Sequence, residues 1–116
     1  MGKAIVGFQY AERVKSELII AAKMIERLDE LTDDELKGAS KLFSFFLMAL
    51  ESEINIAHNV LERTEFETAA TRVKEAAEKV NLSQYDEAMK LLSEAISHVA
   101  SIGQWAMQTL KNHNLL

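Results

Sequence analysis

The 116-residue chain contains no cysteine and no proline, and it has only four glycines. Without cysteine there is no disulfide, no thiolate nucleophile and no thiolate-bound metal. Without proline, and with so little glycine, almost nothing in the sequence interrupts a helix. The longest unbroken apolar run covers only residues 45–50, whereas a membrane-spanning helix needs about 20 such residues.

Positive charge is also scarce. Thirteen Lys and Arg stand against 18 Asp and Glu, which gives a net charge of −5. Nucleic acids and anionic membranes are bound by basic surfaces, so we expect neither as a partner. The apolar stretch after Lys3 is too short for the core of a signal peptide, and we expect a soluble, cytoplasmic protein. The length suits one domain, to which we assign residues 1–116.

Apolar residues recur in steps of three and four along four segments, the spacing of one face of a helix. The predicted helices cover about residues 8–30, 33–62, 65–80 and 84–112. Because the connections are short, the predicted fold is an all-α, up-and-down antiparallel four-helix bundle.

The sequence signals for the helix starts and the turns are less regular than the apolar spacing within the helices. Thr32 and Glu35 have the spacing of a capping box, in which each side chain bonds the other residue's amide. Residues 60–66 contain no Gly, Pro or Asn. The second and third helices are therefore either separated there or joined by a kinked continuation.

Residues 83–97, SQYDEAMKLLSEAIS, resemble the second helix of a tetratricopeptide unit, with Tyr85, Ala88, Leu92 and Ala95 at the spacing of that repeat. The preceding helix departs from the repeat and a stack needs about three units, so we attribute the likeness to shared helix-hairpin packing. In length and helix order the chain is similar to uncharacterised, largely archaeal families of small up-and-down helical bundles. That similarity includes no signature motif and implies no functional residue.

The middle of the second helix is unusually apolar, since residues 42–50 read LFSFFLMAL. Phe43, Phe45 and Phe46 point in different directions around the helix axis, so one neighbouring face cannot cover all three. Such a segment is either central in the core or shared with another chain. The interface candidates are Leu42, Phe43, Phe45, Phe46, Met48 and Trp105.

Trp105 is included because it lies off the main apolar stripe of the fourth helix, on a flank with His98. Aromatic residues in such positions are enriched at protein interfaces. The other interpretation is that Trp105 packs at the end of the bundle against Phe8 or Tyr10.

Two polar residues of the second helix are candidates for a pocket. Glu53 falls close to the apolar stripe, where a carboxylate needs a partner and could anchor a ligand or handle a proton. We favour the alternative that the stripe drifts through Ile54 and leaves Glu53 at its boundary. His58 is the second candidate.

Metal and catalytic motifs are missing from the sequence. The residues three before His58, His98 and His113 are not glutamate, so the Glu-x-x-His pairs of di-iron bundles are absent. Glu94 and His98 have i,i+4 spacing, which surface pairing explains equally well. There is no nucleophile elbow and no glycine-rich phosphate loop. We assign no catalytic residue, no metal and no cofactor.

Two functional hypotheses follow. The first is a non-enzymatic bundle that acts by protein association, as a homodimer or with another protein, because the phenylalanine-rich segment is too apolar for one partner face. The second is a ligand- or cofactor-binding bundle, catalytic in one version. Its apolar pocket would be lined by Phe43, Phe46 and Met48 and closed by Glu53 or His58.

Overall fold

A computed structural model describes residues 2–115 as four α-helices. These are α1 (Gly2–Leu28), α2 (Asp33–Leu61), α3 (Thr64–Asn81) and α4 (Tyr85–Asn112). Helix α1 packs along α4, α4 along α3, and α3 along α2, whereas α1 and α2 touch much less. The molecule is a bundle 54 Å long with no strand among the described residues, which confirms the predicted all-α four-helix fold.

Each helix buries one stripe of apolar residues toward the bundle axis. The largest fully buried side chains are Phe66, Leu18, Leu47, Ile54, Leu92 and Ile102. Removing such side chains from water contributes about 25 cal/mol per Å², the main stabilising term of the fold. Helix α3 buries alanines at positions 69, 70, 76 and 77. These small side chains let the shortest helix approach both α2 and α4.

The first helix begins earlier than the apolar spacing predicts, at Gly2 rather than near residue 8. Ala4 and Gly7 are buried and continue the stripe of α1. A glycine inside a helix weakens it, so propensity alone disfavours a helix through Gly7. Packing outweighs that tendency, because the ring of Trp105 lies 3.0 Å from the place where a Cβ of Gly7 would be.

The turn between α2 and α3 is a true break and not a kink. Helix α2 ends at Leu61, and Glu62 has a left-handed backbone with φ of 55°. The Glu62 amide donates to the carbonyl oxygen of His58 at 2.7 Å. Asp33 and Ser83 at the other two connections also have positive φ, of 52° and 59°. All three turns therefore use a conformation that costs a non-glycine residue about 1 kcal/mol.

The predicted capping box at the start of α2 is not formed. Thr32 is the N-cap residue, but its side chain makes no capping hydrogen bond. Its backbone carbonyl instead accepts from the Leu36 amide at 3.3 Å. The left-handed backbone of Asp33 departs from the regular first turn that a capping box requires.

Candidate interaction surface on helices α1 and α2

Helices α1 and α2 each carry a second series of residues beside the core stripe, spaced alternately by three and four. Such spacing averages 3.5 residues, as in the seam of a coiled coil. The series on α1 is Val6, Tyr10, Arg13, Glu17, Ile20, Met24 and Arg27. The series on α2 is Ala39, Leu42, Phe46, Ala49, Glu53, Ile56 and Val60. The two meet where α1 and α2 lie side by side, since Arg13 forms an ion pair with Glu53. We call the two series together the α1–α2 seam.

Toward the turn that joins α1 to α2, the seam opens into an apolar groove of about 600 Å³. Met24 lines the groove from α1, Leu31 from the turn, and Leu42, Phe45 and Phe46 from α2. Leu42 is 71% exposed and Phe45 is 56% exposed. The groove exists because α1 and α2 are the most loosely packed neighbours in the bundle. It is open to solvent, not enclosed in the core.

The three phenylalanines of the apolar segment lie in three different environments. Phe43 is a core residue, only 3% exposed, and its ring stacks on that of Phe46 with centroids 6.1 Å apart. Phe46 is half-buried in the groove wall, and Phe45 is exposed. Met48 is also exposed but does not line the groove. A second chain could therefore reach Phe45 and the edge of Phe46, but not Phe43.

A polar cluster of Arg13, Glu17 and Glu53 interrupts the apolar seam near its middle. Arg13 contacts both carboxylates, with its Nε 3.2 Å from Glu17 Oε1. Burial raises the pKa of Glu17, and the hydrogen bond and negative charge of Glu53 raise it further, against a smaller opposing effect of Arg13. With both carboxyls ionised, the cluster has one net negative charge.

Glu53 is thus half-buried at the edge of the α2 core stripe, which is the boundary position that we favoured. Its carboxylate pairs with Arg13 across the seam and does not line the apolar groove. The structure gives it a partner on α1 in place of a ligand.

His58, the other pocket candidate, contacts residues on both sides of the start of α3 and stabilises the turn between α2 and α3. Its Nδ1 lies 3.1 Å from the carbonyl oxygen of Arg63, to which Nδ1–H can donate. Its Nε2 lies 3.5 Å from a carboxylate oxygen of Glu67. His58 does not line the groove and is placed to hold the start of α3 against the end of α2.

Trp105 packs at the end of the bundle. The Arg63 guanidinium lies 4.0 Å from the centre of the indole ring, a cation–π contact. The backbone of Gly7 is close to the same ring. The tryptophan is half-buried and does not line the groove. Gly7 and Arg63 are among its neighbours at that end of the bundle.

In the spaced pair Glu94 and His98, Glu94 has an ion-pair partner within the chain. A carboxylate oxygen of Glu94 lies 3.0 Å from Nε of Arg72 on α3. Within residues 2–115, no three His, Asp or Glu side chains are grouped as metal ligands. Across the same part of the chain, no helix has the length and apolar character needed to cross a bilayer.

Ile20, Met24 and Arg27 were not predicted as members of this surface, because the prediction used one main apolar stripe per helix, whereas α1 and α2 each have two series. The signal was present as a second series with the same alternation of three and four, displaced to one flank of the core stripe.

Comparison with family models, curated proteins and solved structures found no match to this chain. Fold and surface therefore define its class, a small four-helix bundle with one loosely packed, apolar helix pair. Its function has to be argued from that geometry.

Proposed function

We propose that this chain is a non-enzymatic, cytoplasmic association module that forms a homodimer through the α1–α2 seam. The observation that carries the proposal is the exposed apolar surface of Leu42, Phe45 and Met24, which line the groove, continued along α1 by Ile20, one turn from Met24. Large apolar patches rimmed by charged residues are typical of protein interaction sites.

The size of this surface suits a stable dimer. Leu42, Phe45, Ile20 and Met24 are 40–71% exposed and together present about 400 Å² per chain, if each side chain has an area near the lower end of the roughly 150–250 Å² of an aromatic residue. Two copies would bury about 800 Å² of apolar surface, and interfaces are about 57% apolar. The total is then about 1,400 Å², within the range of specific complexes. A second copy supplies a patch of matching size and chemistry.

Sedimentation velocity over a series of protein concentrations tests the proposal. We expect a species of twice the 13.0 kDa chain mass at micromolar concentration. Ile20→Lys should shift the protein to the monomer, because a charge would be buried in an apolar contact. A wild-type chain that stays monomeric at the highest concentration would overturn the proposal.

Ile19→Lys is the matched control. Ile19 is the neighbouring residue on α1 and is 39% exposed, against 54% for Ile20. Successive residues point about 100° apart, which places Ile19 on the opposite flank of α1. It should leave the dimer unchanged, and circular dichroism should show native helix content in both variants. Equal loss of the dimer in both would show that the seam is not the contact.

A second candidate function is binding of an apolar small molecule in the groove. Its volume and apolar lining are in the range of ligand sites, which are usually about 300–1,000 Å³. Phe43 and Phe46 line it, as that hypothesis requires, while Met48, Glu53 and His58 do not. Native mass spectrometry of freshly purified protein is the test. A bound adduct that disappears in Leu42→Lys supports this candidate, and a bare polypeptide mass counts against it.

A further inference from the structure

The charges along the seam are unevenly placed. Among the described residues, Arg27 is the only charged side chain that lines the apolar groove. Its guanidinium reaches Glu30 at 3.0 Å in a pair whose side chains are both mostly exposed. Exposed pairs of this kind contribute little to stability, so Arg27 is available to a stronger partner.

The negative end of the seam lies on the same face of the same helix. Glu17 is ten residues before Arg27 in the α1 series, about 15 Å along the axis at 1.5 Å per residue. Glu17 and Glu53 are half-buried and share the single guanidinium of Arg13. One face thus has a cation at one place and a surplus negative charge at another.

With a two-fold axis between two copies, the positive charge of one copy can face the negative charge of the other. In an isologous dimer, if residue i contacts the partner's residue j, then residue j contacts the partner's residue i. We propose, on the basis of the homodimer proposed above, that two copies pair about an axis perpendicular to their helices. Arg27 of each copy then lies opposite the partner's Glu17, about one helical turn from the partner's Glu53. The partner's α1 lies antiparallel on α1, and α2 on α2.

The apolar residues fit the same register. The midpoint between Glu17 and Arg27 is position 22, which is also the midpoint between Ile20 and Met24. On α2 the midpoint between Leu42 and Phe46 is position 44, as it is between Ala39 and Ala49. Positions 22 and 44 lie at about the same height, because residues whose numbers sum to 66 lie near each other at two places, the Arg13–Glu53 pair and the groove that Met24 and Leu42 both line.

In this register the apolar residues nearest the axis meet apolar residues of the partner. Ile20 meets the partner's Met24, Leu42 meets the partner's Phe46, and small Ala39 meets the partner's Ala49. Phe45 lies beside the axis, where it meets its own copy. Leu42, Phe45 and Ile20, each more than half exposed, are therefore near the centre, with an arginine–carboxylate contact on each side.

The other face-to-face arrangement has the axis parallel to the helices and is electrostatically worse. In that arrangement α1 lies on the partner's α2 at equal height, so the whole Arg13, Glu17 and Glu53 cluster of one copy lies against that of its partner. Four carboxylates would share two guanidinium groups in a contact that excludes water, a costly burial of like charge. Arg27 would face no carboxylate of the seam.

Charge reversal tests the pairing by sedimentation equilibrium. Arg27→Glu should weaken the dimer about tenfold or more, because it places a glutamate against the partner's Glu17 and near the partner's Glu53. Adding Glu17→Arg in the same chain exchanges the charges and should restore most of the affinity. Glu30→Gln is the control, since it removes the partner of Arg27 within the chain and should not weaken the dimer. A double variant no tighter than Arg27→Glu alone would overturn the pairing.

Thiol cross-linking tests the register, and it is clean because the chain has no cysteine. A mixture of Ala39→Cys and affinity-tagged Ala49→Cys should yield the mixed product with a short bifunctional thiol reagent. Each variant alone should give almost none, since like residues lie about 15 Å apart along the axis.

Self-cross-linking of each variant alone, with no excess of mixed product, would overturn the register and leave the homodimer standing. A wild-type chain that is monomeric in sedimentation would overturn both the homodimer and this register. The two failures are therefore distinguishable.

Discussion

Replacing Gly7 by alanine measures how firmly Trp105 fills the end of the bundle. In a helix interior alanine is favoured over glycine by about 0.8–1.0 kcal/mol. At Gly7, however, the new Cβ would lie 3.0 Å from Cζ3 of Trp105, well inside the roughly 3.5–4.0 Å of a normal carbon–carbon contact. The ring is covered by Arg63 as well, so it cannot move without losing that contact.

The expected magnitude follows from the two opposing effects. Forcing an extra methyl into a packed site costs about 1–3 kcal/mol. After the gain in helix propensity is subtracted, Gly7→Ala should lower the free energy of unfolding by about 0–2 kcal/mol. Gly38 is the comparison, because a Cβ there has no neighbour within 4 Å. Gly38→Ala should therefore raise the stability by about 1 kcal/mol.

Urea denaturation followed by circular dichroism gives the free energies, and the emission of the one tryptophan reports the ring itself. Gly7→Ala should shift that emission, while Gly38→Ala should not. In a Trp105→Leu background the penalty should disappear, and Gly7→Ala should then be neutral or stabilising. The reasoning is refuted if Gly7→Ala stabilises the wild type as much as Gly38→Ala does, with unchanged emission.

Three further outcomes are expected. Burial and Glu53 raise the pKa of Glu17 in the folded chain above its ordinary value of 4.5. The protonated Glu17 side chain therefore stabilises the fold below pH 4.5, and this contribution is lost as the pH rises through the raised pKa of the folded chain. Glu17→Gln should therefore be the more stable chain at pH 7 in urea titrations, with its advantage vanishing below pH 4.5; an advantage that persists there contradicts this. His58→Ala leaves the Arg63 carbonyl without its donor and should cost about 1 kcal/mol in the same assay; no change would mean that water replaces the imidazole. Phe66→Ala removes a fully buried ring and should lower stability by about 3–5 kcal/mol, a loss that calorimetry would register as a much lower Tm.

Much of this fold could be predicted because apolar spacing decides which face of a helix is buried. Val14, Leu18 and Leu92 are buried where the stripes place them. The prediction was wrong at the start of α1, because propensity argues against a helix through Gly7 while its contact with Trp105 favours one. Long-range contacts of this kind leave no local pattern in a sequence.

The candidate surface was only partly predictable, for a different reason. The number of apolar residues in 42–50 indicates that some lie outside the core, but it does not say which ones. That depends on the direction of each side chain relative to α1, which distinguishes buried Phe43 from exposed Phe45. The proposed contact between Arg27 and the partner's Glu17 depends on the heights of these residues on α1 relative to the residues of α2. Those heights are fixed by tertiary contacts such as the Arg13–Glu53 pair.

The left-handed residues at the three connections indicate positions where the stability of the fold can be raised. Glu62 and Ser83 adopt a backbone that glycine enters without penalty, and both side chains are exposed. Replacing Glu62 and Ser83 by glycine should raise the stability without altering the hydrophobic core or the α1–α2 seam. Thermal stability and dimerisation can thus be changed independently of each other in this chain.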